Sequence, residues 1–128
     1  MSDRFDGMDR LRDVLEALER IPYRFQSIHE PNDFFAGDAG REHLDSICMI
    51  LVAVGEALRQ LDKKTKGEWR ATYPEIPWDE IIGLRNVIAH GYLDIDHEQI
   101  FSICKQDIPH VIETLRAIIN DMEKDSTS

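Results

Sequence analysis

Along almost the whole of this chain, apolar residues return every three or four positions and never alternate long enough to make a strand. Phe5, Met8, Leu11, Val14, Leu15, Leu18, Ile21 and Phe25 mark an amphipathic first helix. Pro22 is expected to kink or locally break it, because proline has no N–H for the helical ladder. Loop punctuation follows over residues 29–40, with Phe34 and Phe35 as a hydrophobic tuck. Residues 41–64 predict a second helix, whose middle at 47–54 is apolar on all sides and therefore central. Lys63, Lys64, Lys66 and Gly67 supply its stop: basic charge at the negative helix end, then a glycine.

Residues 68–73 read as one short helical turn, and Trp78, after Pro74 and Pro77, opens a third long helix to about residue 90. Asp96 with Gln99 three residues on resembles a capping box for the next helix. Asp107-Ile108-Pro109 restarts or kinks that helix, and Ile108, Val111, Ile112, Leu115, Ile118, Ile119 and Met122 form its apolar stripe. The expectation is an all-α bundle of four to five helices, a single domain over residues 1–123 with a flexible tail over 124–128.

The 128 residues carry 25 acidic against 15 basic side chains, a net charge of −10. That balance counts against a general polyanion binder, since sequence-independent affinity for nucleic acid comes from Lys and Arg neutralising phosphates. A local cleft can still oppose the global charge. The longest apolar run, 47–54, is too short to span a bilayer, and the first residues lack the basic start and apolar stretch of a signal peptide. Cys48 and Cys104 sit among apolar residues and read as buried, reduced thiols, so a cytoplasmic protein without membrane contact is expected.

P-loop, dinucleotide and zinc motifs are missing, so no cofactor or metal is expected. The informative stretch is Arg85-Asn86-Val87-Ile88-Ala89-His90-Gly91-Tyr92. At 100° per residue, Asp79, Gly83, Asn86 and His90 share one polar arc, whereas Arg85 falls among apolar positions. A guanidinium there is costly unless an anion or a solvated cleft receives it. Arg85 and His90 lie about 140° apart around the axis, so one helix does not easily aim both at one atom. Two copies facing across a twofold axis bring two Arg and two His to a shared cleft, which makes a homodimer a mechanistic expectation.

This run resembles the R-x4-H-x-Y signature of HepT-like toxins, members of the HEPN superfamily. Gly55-Glu56-Ala57, Pro77-Trp78, Asp94-Ile95-Asp96 and Asp107-Ile108-Pro109 also match, so the resemblance spans roughly residues 41–119. Spacing alone carries little, since Arg24 and His29 repeat it without the following Asn, the Tyr or the flanking blocks.

The resemblance implies a HEPN-type bundle and a metal-independent endoribonuclease, in which a ribose 2′-hydroxyl attacks the adjacent phosphate of single-stranded RNA. Arg85 and His90 are then catalytic: an imidazole moves a proton, and a guanidinium holds the phosphate and its developing charge. Asn86 positions the phosphate or holds His90, and Glu56 is a supporting carboxylate that orients Arg85. The family also implies an MntA-like nucleotidyltransferase antitoxin that transfers AMP to Tyr92, adding bulk and negative charge beside Arg85. Read without the family, His90 is a polar helix end, Arg85 an intramolecular ion pair with Glu56, Asn86 a surface amide and Tyr92 a packing residue. The alternative function is a non-catalytic HEPN interaction or nucleotide-binding module. Arg59, Lys63, Lys64, Lys66 and Arg70 read as a solvated helix end that steers RNA only in the bolder view, and Trp69 and Trp78 as core or interface residues.

Overall fold

A computed structural model describes the backbone of residues 3–127 and the side chains of residues 7–125. Six α-helices, with no strand among the described residues, follow in order: α1 Asp3–Phe25, α2 Asp38–Lys64, α3 Glu68–Thr72, α4 Trp78–Gly91, α5 His97–Ser102 and α6 Ile108–Thr127. α2 is the hub, packed against α1 on one side and α4 on the other, while α6 lies on α1. Leu11, Leu18, Ile21, Ile47, Leu51, Leu58 and Leu115 are wholly shielded from water at these contacts. Each such side chain contributes about 1.5–3 kcal/mol by leaving solvent. Phe5 lies outside the described side chains.

Four details depart from, or refine, the sequence expectations. α1 continues through Pro22 to Phe25. The proline sits in its last turn, where a lost ladder bond has few successors to disturb. The segment after α1 is partly ordered as a 3₁₀ turn, Pro31–Phe35. The Asp33 carboxylate accepts hydrogen bonds from the His29 and Glu30 N–H groups, at 2.8 and 3.1 Å. Phe34 is buried as expected, but Phe35 is partly exposed, lying against His97 and under the Arg41 guanidinium.

The third detail is at Pro109. α5 opens with the Asp96 carboxylate accepting from the Glu98 and Gln99 N–H groups, at 3.0 and 3.2 Å. Between α5 and α6 the chain widens into a π turn, Ile103–Asp107. Pro109 has no N–H to donate to Lys105 and its ring crowds that carbonyl, so a wider turn relieves the clash without ending the helix. The fourth is the tail: α6 runs to Thr127, so the segment expected to fray from Lys124 begins as helix, and Ser128 lies outside the described residues.

Trp69 and Trp78 are both buried, and the Trp78 indole N–H donates to the Tyr73 carbonyl at 3.0 Å. Cys48 and Cys104 are buried free thiols, each pushed up to about 12, chiefly by desolvation. No helix of the described residues is long and apolar enough to cross a membrane.

Candidate active site

α4 starts after Pro77 and carries Asp79 and Glu80 in its first turn, where negative charge suits the helix dipole. It buries a narrow stripe, Trp78, Ile81 and Ile88. The reason it lies so close to α2 is Gly55. A β-carbon at that position would stand 2.8 Å from the Ile81 carbonyl oxygen, closer than such contacts allow. Glycine lets the two backbones touch, and Glu56, the next residue, is thereby carried beside Arg85.

Arg85 approaches the Glu56 carboxylate through Nε at 3.2 Å, with its side chain 46% exposed and that of Glu56 29% exposed. The guanidinium is thus received by both an anion and solvent, the two conditions its place on the helical wheel demands. The wheel overstates the buried arc, because α4 packs chiefly on α2, with Arg70 of α3 reaching Asp79 and Trp78 at its start. Ala89 is exposed and Ile82 only partly covered. On its other flank α4 faces Ile103 and Val111 across a groove of 640 Å³.

Glu56 has a second guanidinium. Arg59 donates to it through Nε at 3.1 Å and Nη2 at 2.6 Å, and the Gln60 amide adds a bond at 3.3 Å. Hydrogen bonding from Arg59 is the largest influence holding the Glu56 carboxyl below its ordinary value. Partial desolvation opposes it, while the charges of Arg59 and Arg85 and the Gln60 amide reinforce it.

Asn86 and His90 are exposed on the outward side of α4, His90 in its last turn. No hydrogen bond or ion pair among the described residues joins Arg85 to Asn86, His90 or Tyr92. One chain therefore brings Arg85 to Glu56 but does not draw Arg85 and His90 together. Past Gly91 the backbone tightens into a 3₁₀ turn, Tyr92–Asp94, leaving Tyr92 38% and Leu93 96% exposed.

Tyr92 borders a shallow depression of 440 Å³ with Asp45, Cys48, Met49, Val52, Ile88 and Ala89. Met49 refines a sequence expectation: it lies in the run read as apolar on all sides, in a helix that is central as expected, yet it is 70% exposed. Apolar composition cannot show which side of a central helix is left without a neighbour. Two further contributors went unrecognised. Gly55 stands in the sequence only as part of a matching block, and its value as the point of close approach beside Glu56 depends on the α4 backbone opposite it. Arg59 was grouped with a basic helix end. The other spacing match, Arg24 and His29, lies at the end of α1 and in the next loop, with Arg24 donating to the Arg20 carbonyl.

The family model for ribonuclease HepT-like proteins matches residues 9–118. "Putative RNase MJ1216" of Methanocaldococcus jannaschii is 29% identical over 119 residues, covering 92% of each chain. "Putative RNase MJ1380" of the same organism is 29% identical over 107 residues, 84% of each chain. "Probable ribonuclease HepT" of Thermococcus cleftensis is 29% identical over 101 residues, 79% of this chain and 84% of that one. No solved structure matches. The all-helical fold and the family match define the class, a HEPN-type helical ribonuclease, and the chain belongs to the HepT-like ribonuclease family.

Proposed function

We propose that this protein is a metal-independent endoribonuclease toxin acting on single-stranded RNA, with a composite site formed by Arg85 and His90 from two copies of the chain. The observation that carries this reading is Arg85 braced on Glu56 at the solvent surface, on the same helix as an exposed His90. A twofold pair supports it because a single chain leaves these two side chains unconnected. Exposed Met49, Val87, Tyr92 and Leu93 on and beside α4 supply apolar surface for such a pair.

The chemistry is a displacement at phosphorus. His90 of one copy takes the proton from the ribose 2′-hydroxyl as O2′ bonds to the phosphorus. The P–O5′ bond breaks, and the departing O5′ receives a proton from the imidazolium of the other copy. Arg85 stabilises the charge on the non-bridging oxygens, and Asn86 orients the phosphate. The products are a 2′,3′-cyclic phosphate and a free 5′-hydroxyl. An MntA-like nucleotidyltransferase antitoxin silences the site by placing AMP on the Tyr92 hydroxyl, where the phosphate repels RNA.

The test is incubation of purified protein with defined single-stranded RNA in EDTA. Wild type should leave 2′,3′-cyclic ends, with His90→Ala reducing the rate by about 10²–10⁴-fold and Arg85→Ala by about 10²–10³-fold. An intact dimer with unmodified Tyr92 and no cleavage would favour the other reading, a non-catalytic HEPN interaction module. The net charge of −10 is the observation on that side.

A further inference from the structure

The basic cluster over residues 59–70 is divided by the fold. Arg70 is committed, its Nη2 and Nε donating to Asp62 at 2.9 and 3.3 Å and its Nη1 to Asp79. Arg59 instead turns back along α2 to Glu56, the residue that meets Arg85 of α4. Its Nε donates to Glu56 Oε2, the same oxygen that the Arg85 Nε approaches. One carboxylate therefore stands between two guanidinium groups, and the patch is net positive in a chain of net charge −10. Lys63 continues the row. It lies one turn beyond Arg59 on α2, about 6 Å along the axis. It is exposed, and no carboxylate pairs with it among the described residues.

We infer that Arg59 and Lys63 extend the site along α2 as a track for the RNA backbone. Arg85 takes the reacting phosphate, Arg59 and Lys63 take phosphates beside it, and Glu56 is the carboxylate that the phosphates displace. The inference rests on the ribonuclease reading. Both arginine side chains are nearly half exposed, so each can exchange the one carboxylate they share for a phosphate of its own, with which a guanidinium makes equally strong charge-assisted bonds. Each phosphate so neutralised releases counterions, which makes the track measurable through salt.

The experiment measures binding of a short 2′-O-methyl RNA, which lacks the attacking hydroxyl, across a range of salt concentrations. Cleavage of the unmodified RNA is assayed in parallel. Arg59→Ala and Lys63→Ala should each weaken binding several-fold and lower the salt slope by about 0.7–1. In the cleavage assay the loss should fall on KM more than on kcat. Glu56→Gln should strengthen binding and steepen the slope, since both arginines become free for phosphate.

If Arg59 serves only to hold Glu56, Glu56→Gln will instead weaken binding as Arg59→Ala does, and the track is overturned. An unchanged salt slope in Arg59→Ala, with wild-type cleavage intact, overturns the track and leaves the ribonuclease reading standing. Wild type that neither binds nor cleaves RNA overturns both.

Discussion

The two sides of α2 are built differently. Toward α1, and through α1 to α6, the molecule is closed: Leu11, Leu18, Ile21, Leu58 and Leu115 have no exposed surface. Ion pairs lie across its rim, Arg12 to Glu123 at 3.2 Å and Arg116 to Glu19 at 2.6 Å. Toward α4 it is open. That helix buries three side chains, and Val87, Tyr92 and Leu93 face water at its far end, as Met49 does on α2. The closed side holds the leucines and isoleucine of α1, α2 and α6 that are shielded from water. On the open side α4 packs chiefly on α2, which leaves its outward positions available for Arg85, Asn86 and His90. The closed core and the candidate site therefore lie on different sides of one central helix.

The sharpest way to break this comparison is Leu18→Ala. On the closed side, deleting a wholly buried leucine should cost about 2–5 kcal/mol, read as a lower urea midpoint. A loss well under that range would mean that the α1 face is not the stabilising half. Gly55→Val comes next, because it acts on the line where the two halves meet. Its β-carbon cannot stand 2.8 Å from the Ile81 carbonyl, so α4 must move outward. We expect a cost of about 1–3 kcal/mol from overpacking, together with a loss of RNA cleavage because the helix that carries Arg85 and His90 is shifted. Full cleavage in a folded Gly55→Val protein would show that the close contact does not position the site.

The smallest effect belongs to Glu56. Its folded pKa lies below its ordinary 4.5, so the stabilisation it contributes is complete above that value and is lost as pH falls through the lower folded value. Wild type and Glu56→Gln should differ in stability at neutral pH and converge in that acid window, as followed by unfolding curves at stepped pH. Parallel curves throughout would remove Glu56 from the electrostatic account of the open side.

Much of this was legible before any coordinates. The recurring apolar stripes are dictated by the 3.6-residue turn, so α1, α2, α4 and α6 could be drawn from spacing alone. Asp96 as a cap and both tryptophans as buried residues follow from equally local chemistry. The motif residues were legible for a related reason, since Arg85, Asn86, His90 and Tyr92 are neighbours along one helix and its end. At Pro22 the helix is not broken, because a proline's effect depends on how many ladder bonds follow it. Met49 is more instructive, because hydrophobicity records that a side chain avoids water but not whether a neighbouring helix is present to cover it.

By itself, then, the sequence determined the helices, their buried stripes and the order of the motif along α4, all of which depend on residues a few positions apart. The tertiary structure decided which partners those residues meet. Gly55 matters only because the Ile81 carbonyl lies opposite it, and Arg59 joins Arg85 only because both reach one Glu56 oxygen. Arg70 leaves the basic cluster only because Asp62 and Asp79 close around it. These are contacts between separate turns or separate helices. No periodicity within one helix encodes the distance to another; the packing of backbones sets it.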